Sequence, residues 1–272
     1  MKKILSIILV AALSLALAAC GKKEEGMSND KIVVGATSVP HAEILEQAKP
    51  LLKKKGIDLQ IKTFQDYVLP NKALADKEID ANYFQHIPYL VSQMKDHKNY
   101  KFENAGGIHI EPIGVYSKKY KSLKDLPNGA TIIMSNSVAD HGRMLLLLEK
   151  EGLITLKKGV SYNAQLKDIV KNPKHLKFKA DIDAGMLPKA YKNGEGDAIL
   201  INTNYALDAG LNPKKDAIAL EGADSPFVNI ITVRKGDKNK KPVKALVDVL
   251  HSKEIQDFIN KKYKGAVVPV NQ

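Results

Sequence analysis

The sequence predicts an α/β protein of two lobes with a ligand cleft between them. Strand-like apolar runs alternate with helix-like segments from residue 31 onward, an order typical of a parallel sheet with right-handed crossovers. Pro112 and Gly114 interrupt a later strand pattern, as happens at an edge, a bend or a crossing between domains. An aromatic run at 81–89 follows a predicted strand, where open α/β sheets bind ligands.

The first residues of the chain have the pattern of an export signal. Lys2 and Lys3 precede an apolar run at 4–17, and small residues then lead to Cys20. This arrangement predicts a signal peptide at 1–19 that ends in the lipobox of bacterial lipoproteins, with Cys20 acylated. The alternative is a signal anchor with a chance cysteine. The polar residues at 20–30 are predicted to be the lipidated cysteine and a flexible tether.

The composition argues against several classes of protein. Cys20 is the only cysteine, which excludes a disulfide framework, a cysteine metal cluster and a catalytic thiol. The net charge is +12, but the lysines are scattered and arginine occurs only at 143 and 234. We interpret this charge as a solvated surface that suits an anionic membrane, and we predict no nucleic-acid partner.

The first lobe begins with a βαβαβ pattern. Ser38 is a candidate helix cap with Pro40 in the first turn, and Pro50 inside that helix predicts a kink. In order, the predicted elements are a strand at 31–36, a helix ending at Gly56, a strand at 58–64, a helix at about 70–77 and a strand that leads into Phe84.

The remaining elements define where the lobes meet. They are a strand at 109–117, a turn at 123–129, a strand at 130–135 with a helix through 144–148, strands at 197–202 and 228–234, and a helical tail at 242–263. We assign 31–114 and 227–272 to the first lobe and 115–226 to the second. The two crossings, near 111–114 and 225–229, predict a hinge beside a cleft that is a natural ligand site.

The aromatic run supplies one group of candidate ligand residues. If 80–86 is a strand, Phe84 and His86 project to one side, and Tyr83 and Gln85 to the other. Pro88 then begins a turn or a helix, because it has no N–H to give to a sheet. The alternative is that these aromatic residues pack an ordinary core.

Polar residues in the second half supply another group. Ser137 and Asp140 fit a capping box, which places Arg143 near the start of a helix as a candidate carboxylate site; the alternative is a surface ion pair with Asp140 or Glu149. Asn202 ends an apolar strand and Asn229 lies inside another, where asparagine is rare. We interpret both as amides that face the cleft, rather than as caps of their own loops.

Other chemistries have weak support. The sequence contains no Gly-x-Ser-x-Gly elbow and no phosphate-binding loop, so we predict a protein that is not an enzyme and has no cofactor. His109 and Glu111 share a predicted strand face, but two ligands are too few to predict a metal. A metal-binding transporter lipoprotein that uses His86, His109 and Glu111 remains an alternative, as do an exported hydrolase and a lipoprotein recognised by partner proteins.

Nearly the whole chain after the signal resembles the NlpA/MetQ-type substrate-binding lipoproteins of bacterial ABC transporters for methionine. The order and spacing of the matching segments are those of this family. Besides the lipobox at Cys20, they are DYVLPNKAL (66–74), DANYFQHIPYL (80–90), GRMLLLLE (142–149), ILINTNYALDAGL (199–211) and SPFVNIITVR (225–234).

The resemblance implies a type II-like periplasmic-binding-protein fold whose lobes close over one amino acid. The implied partners are methionine, a membrane permease with its ATPase, and the membrane itself through the lipid anchor. The implied location is the cell envelope, facing the periplasm or the exterior. By position, the pocket for the thioether is lined by Tyr67, Phe84, His86 and Tyr89, the α-carboxylate is held by Arg143, and the amino and carboxylate groups are bound by Asn202 and Asn229.

One segment departs from the family pattern. Many members carry a turn resembling Pro-Asn-Asp-x-x-Asn before the arginine, whereas residues 135–141 here are SNSVADH. The loop that presents Arg143 is therefore different. The ligand remains open between L-methionine, D-methionine, a methionine derivative and a short peptide that contains methionine.

Overall fold

The computed structural model describes residues 27–222 and 224–270. The predicted signal peptide, Cys20 and the first part of the tether lie outside these described residues. Within them, every helix is too short or too polar to cross a lipid bilayer.

The helices and strands follow one another in the alternating order of an α/β protein. The strands are β1 (Lys31–Thr37), β2 (Asp58–Phe64), β3 (Ala81–His86), β4 (Phe102–Ile110), β5 (Gly114–Tyr116), β6 (Thr131–Ser135), β7 (Thr155–Leu156), β8 (Ile169–Lys171), β9 (Lys177–Ile182), β10 (Ala198–Ile201), β11 (Ala219–Leu220), β12 (Val228–Arg234) and β13 (Val268–Pro269). The helices are α1 (Glu43–Lys54), α2 (Leu69–Ala75), α3 (Ile87–Asp96), α4 (Val138–Lys150), α5 (Leu187–Lys192), α6 (Thr203–Asp208), α7 (Pro213–Asp216), α8 (Lys241–Leu250) and α9 (Lys253–Tyr263).

The strands form two main sheets, one in each lobe. The first has the order β13-β4-β12-β3-β1-β2, and the second has the order β11-β5-β10-β6-β9. Strand β1 is parallel to β2 and β3, which confirms the predicted parallel run. Strand β12 returns antiparallel between β3 and β4, so the first sheet is mixed. The prediction of an α/β protein with two lobes is confirmed.

The chain passes between the sheets at two places. It leaves the first sheet at the end of β4 and enters the second at β5, and it returns between β11 and β12. The prediction of one strand at 109–117 is therefore wrong. Two strands of different sheets lie there, separated by residues 111–113, because Pro112 cannot donate to a sheet.

Each lobe has its own apolar core. In the first lobe, Ile44, Leu45 and Leu52 of α1 pack with α8 and α9 against the sheet. In the second, Met144 and Leu148 of α4 pack against β6 and β10. Fully burying a side chain of this size stabilises the fold by about 1.5–3 kcal/mol. Separate cores allow each lobe to move as a unit while the cleft opens or closes.

One helix prediction needs correction, and the structure refines another. Ser38 does not cap α1, because residues Ser38–Ala42 form a separate helical turn and α1 begins at Glu43 without a side-chain cap. The predicted helical tail consists of two helices. Helix α8 ends at Leu250, and Ser252 caps α9 by accepting the N–H of Ile255 at 3.5 Å. Serine suits a cap better than a helix interior, because its side chain competes with the backbone for hydrogen bonds.

Candidate functional site

A cavity at the base of the cleft contains all the predicted ligand residues. Both lobes contribute to it, through the end of β3, the start of α4 and the residues after β10. Its predicted members are Tyr67, Phe84, His86, Tyr89, Arg143, Asn202 and Asn229. Residues that sequence reasoning did not assign to the site also line it: Gln85, Glu111, Asp140, Thr203 and Asn204. The ligand-binding roles of the predicted members stay predictions, although all of these residues line the same cavity.

A β-bulge in β3 sets which side chains face the cavity. Ile230 of β12 lies opposite Gln85 and Ile231 lies opposite Tyr83, so Phe84 is an extra residue. Gln85 therefore turns to the side of Asn82 and donates to its Oδ1 at 2.9 Å, whereas Tyr83 packs on the opposite face. The prediction that Tyr83 and Gln85 share a side is wrong, because a bulge breaks the alternation of a strand.

Three aromatic rings form one wall of the cavity. The ring centroids of Tyr67, Phe84 and Tyr89 lie 5.9 to 6.0 Å from one another. The hydroxyl of Tyr89 donates to the carbonyl of Tyr67 at 3.0 Å, which fixes the two rings relative to each other. Tyr205, from the second lobe, adds a ring 5.0 Å from Tyr67. This wall suits an apolar, polarizable group.

A buried hydrogen bond between His86 and Asp140 joins the lobes. His86 Nδ1 accepts the N–H of Tyr89 at 3.2 Å, so Nε2 carries the proton and donates to Asp140 Oδ1 at 2.9 Å. Burial by itself would raise the pKa of Asp140, but His86 and Arg143 together lower it to about 2. Asp140 is therefore a carboxylate at neutral pH, although its side chain is buried.

The predicted capping box at the start of α4 is wrong. Ser137 does precede the helix, but its side chain makes no capping hydrogen bond. Asp140 instead points into the cleft, where it accepts from His86 and, at 3.3 Å, from Asn202 Nδ2. Its partners are far away in the sequence, so the local pattern could not reveal this role.

Arg143 is buried, which rules out the alternative of a surface ion pair. Nε donates to Glu221 Oε2 at 2.9 Å and Nη2 donates to the same carboxylate. Nη2 also donates to the carbonyl of Glu111 at 2.7 Å. The remaining nitrogen, Nη1, lies 3.9 Å from Asp140 Oδ1 and makes no hydrogen bond within the described residues. Only this side of the guanidinium is left for a ligand.

The two asparagines have different environments. Asn202 Nδ2 donates a hydrogen bond to Asp140, and Asn202 Oδ1 is buried with no partner among the described residues. Asn229 accepts at Oδ1 from His41 Nε2 at 3.0 Å, which leaves its Nδ2 for the cavity. Neither caps its own loop. Among the described residues, the cavity thus has one acceptor without a hydrogen-bond donor, Asn202 Oδ1, and one amide donor that faces the cavity, Asn229 Nδ2.

Behind the cavity lies a buried cluster of His41, His109 and Glu111. Both histidine Nε2 atoms face Glu111 Oε1, at 3.2 Å and 2.8 Å. Burial lowers the pKa of His41 to about 4 and of His109 to about 3, and it raises the pKa of Glu111. Both histidines are therefore neutral at pH 7. His109 Nε2 donates to Glu111, whereas His41 Nε2 donates to Asn229 Oδ1 and lies near Glu111.

This cluster has the residue types of a metal site. The ligand atoms of the three side chains lie within 4.8 Å of one another. Their hydrogen-bonding atoms are already paired, since His41 Nδ1 contacts Thr37 Oγ1 at 2.7 Å and His109 Nδ1 contacts the hydroxyl of Tyr83. The arrangement is complete as a hydrogen-bond network that supports Asn229 and the floor of the cavity.

Comparison with known proteins identifies close relatives. The methionine-binding lipoprotein MetQ of Bacillus subtilis is 56% identical over 275 residues, which covers 100% of each chain. The D-methionine-binding lipoprotein MetQ of Escherichia coli K12 is 42% identical and covers 94% of this chain and 93% of its own length. A solved structure of a nutrient-binding protein from Burkholderia cenocepacia bound to methionine is 46% identical, with a TM-score of 0.83 over 88% of this chain and 100% of that one.

The family model named NlpA lipoprotein matches residues 32–271. A crystal structure of a putative methionine-binding lipoprotein from Bacillus subtilis is 59% identical, with a TM-score of 0.88 over 89% of this chain and 99% of that one. With this match and these identities, the chain belongs to the NlpA lipoprotein family.

Proposed function

We propose that this chain is a lipid-anchored substrate-binding protein that captures methionine and delivers it to an ABC importer. Family membership supports this function, as do the methionine-binding relative from Bacillus subtilis and the methionine-bound structure from Burkholderia cenocepacia. The cavity of this chain adds a physical argument, because its apolar and polar halves match the two ends of that amino acid.

The observation that carries the proposal is the Oδ1 of Asn202, which has no hydrogen-bond partner among residues 27–222 and 224–270. A buried carbonyl oxygen without a donor costs about 1–3 kcal/mol, and this one lies beside the ionised Asp140. An α-ammonium group would donate to both acceptors. On the same cavity, Arg143 Nη1 and Asn229 Nδ2 are the donors that an α-carboxylate needs. The polar half therefore fits an amino-acid zwitterion.

The aromatic half fits the side chain of that ligand. Tyr67, Phe84 and Tyr89 surround a space in which a thioether gains contacts with ring edges, worth about 0.3–1.5 kcal/mol each. His86 completes this half and at the same time joins the lobes through Asp140. Such a pocket holds an unbranched, flexible side chain better than a charged one.

Closure is built from contacts between the lobes. The hydroxyl of Tyr67 donates to Asn204 Oδ1 at 2.6 Å, and the hydroxyl of Tyr205 donates to the carbonyl of Gln65 at 3.3 Å. A ligand that touches Asn202 and Arg143 of the second lobe and Phe84 of the first favours the closed state by its contacts with both. The closed form is then the one that docks on the permease.

The remaining parts of the proposal concern the anchor and the partners. Cys20 is the lipidation site, and the protein lies at the cell envelope, facing the periplasm or the exterior. Its partners are methionine and a permease with its ATPase, and it is not an enzyme. The first lobe takes 31–114 and 227–272, and the second takes 115–226.

The test is calorimetric titration of residues 21–272, refolded after denaturation so that carried-over ligand is removed. The titrants are L-methionine, D-methionine and Gly-Met. We expect one site for L-methionine. Binding of only D-methionine or the dipeptide would keep the transport role and attribute the change to the loop at 135–141. No heat with any titrant would favour a metal-binding or partner-binding lipoprotein, which titration with Zn²⁺ would then distinguish.

A further inference from the structure

Glu221, which directly follows β11, determines which part of Arg143 faces the cavity. Its Oε2 accepts from both Nε and Nη2 of Arg143. The two side chains are 12% and 3% exposed, so this is a buried, charge-assisted pair of bonds. One edge of the guanidinium is thereby occupied, and Nη1 is the nitrogen that remains for a ligand.

The position of Glu221 does not depend on Arg143 alone. Its Oε2 also accepts the N–H of Ile113 at 3.1 Å, and its Oε1 accepts the hydroxyl of Ser225 at 2.7 Å. Its own N–H donates to the carbonyl of Ile113 at 3.0 Å. Ile113 lies on the outward crossing between the sheets, and Ser225 lies on the returning one. Glu221 is therefore bonded to both crossing segments.

Arg143 shares this connection to the hinge. Its Nη2 donates to the carbonyl of Glu111, in the outward crossing, at 2.7 Å, and its guanidinium carbon lies 4.6 Å from the ring centroid of Phe227, in the returning one. A rotation of the lobes changes the backbone of these crossings. The pair formed by Glu221 and Arg143 therefore moves with the hinge rather than with one lobe alone.

We propose that Glu221 is a positioning residue for the ligand site. It holds the Nε–Nη2 edge of Arg143 so that Nη1 meets the ligand carboxylate, and its bonds to both crossings connect this contact to closure of the lobes. The inference rests on the proposed function. The competing account is that Glu221 occupies the place of the carboxylate and leaves when a ligand binds.

Two substitutions of Glu221 distinguish the effect of its side-chain length from the effect of its charge. Glu221→Asp keeps the charge but is one methylene too short to bond Arg143, Ile113 and Ser225 together, whereas Glu221→Gln keeps the reach and a carbonyl acceptor. If Glu221 positions Arg143, the Asp variant weakens L-methionine binding about ten-fold or more, as for a lost bond to a charged group, and the Gln variant weakens it less. Tighter binding by either variant, or a larger loss in Gln than in Asp, would overturn the proposal.

A double-mutant cycle distinguishes positioning from a general effect on the fold. An Arg143→Lys variant has no planar guanidinium for Glu221 to orient. In this background we expect Glu221→Asp to change the affinity for L-methionine less than about two-fold. The same loss in both backgrounds would mean that Glu221 acts on the fold and not through Arg143. Glu151→Asp, at an exposed glutamate after α4, is the matched control and should bind as the wild type does.

A measurement without ligand keeps this inference separate from the proposed function. The chain has only two arginines, so their Nε–H signals are simple to assign by ¹⁵N NMR with the Arg143→Lys variant. We expect slow solvent exchange for Arg143 Nε–H in the wild type and faster exchange in Glu221→Asp. Unchanged exchange would refute the positioning role. Absence of methionine binding with the expected exchange would refute only the proposed function.

Discussion

Replacement of Arg143 by alanine is the most informative perturbation of the cavity. The residue is 4% exposed, and its side chain is paired with the carboxylate of Glu221 while its Nη1 lies near Asp140. Without it, the ligand carboxylate enters a buried site that keeps the carboxylates of Asp140 and Glu221 and has no guanidinium. Truncating one partner of a buried charge pair costs about 2–5 kcal/mol, which corresponds to a loss of roughly 30-fold to several thousand-fold in affinity.

The assay is calorimetric titration of the refolded variant with L-methionine, beside thermal unfolding without ligand. The matched control is Arg234→Ala, because Arg234 is the only other arginine and bonds Leu74, Ile79 and Asp80 in the first lobe, outside the cavity. We expect the control to lower the melting temperature while the folded protein keeps its affinity. If Arg143→Ala binds L-methionine as tightly as the wild type, our assignment of the carboxylate site is refuted.

Three further predictions concern closure, pH and packing. Tyr67→Phe removes the hydrogen bond from the Tyr67 hydroxyl to Asn204 across the cleft. We expect L-methionine to bind about three- to ten-fold more weakly, with unchanged unfolding of the ligand-free protein. Equal affinity would show that this bond does not stabilise closure. Burial lowers the pKa of His41 from 6.5 to about 4 and that of His109 from 6.5 to about 3. Below pH 6.5 the unfolded chain therefore binds more protons than the folded one. The free energy of unfolding should fall as the pH drops, by up to about 2.7 kcal/mol per pH unit for the two histidines together. Glu111, whose pKa burial raises, opposes this trend at lower pH, and a urea midpoint that is flat from pH 7.5 to 5.5 would contradict the expectation. Gly142→Ala places a Cβ 1.9 Å from a backbone oxygen of a neighbouring loop, so we expect a loss of about 1–3 kcal/mol, and an unchanged melting temperature would argue against this close approach.

The sequence was most informative where function and local pattern coincide. The aromatic run predicted a strand end that carries Phe84 and His86, which an ordinary core could also explain. The family resemblance then predicted Phe84, His86 and Tyr89 as ligand residues. Strand β12 was predicted with its observed bounds, since VNIITVR is rich in β-branched residues. Strand β4 was predicted only in part, because ENAGG lacks the apolar alternation that marks a strand.

The residues that were missed act through distant partners. Glu221 looks like an ordinary loop glutamate, and only the fold brings it to Arg143, 78 positions away. Asp140 matched a local capping pattern, but its real partner, His86, lies 54 positions away. The bulge at Phe84 depends on how β12 pairs with β3, which no single strand reveals. Local spacing predicts elements and faces, whereas these contacts are set by tertiary pairing.

The most direct test of the account is a crystal structure of the unlabelled protein with L-selenomethionine. The ligand is then the only source of selenium, so its anomalous signal locates the side-chain end without ambiguity. We predict one selenium peak about 5 Å from the rings of Tyr67, Phe84 and Tyr89, with the carboxylate at Arg143 Nη1 and the ammonium at Asn202 Oδ1. A peak at the opposite end of the cavity, or outside the cleft, would contradict the account.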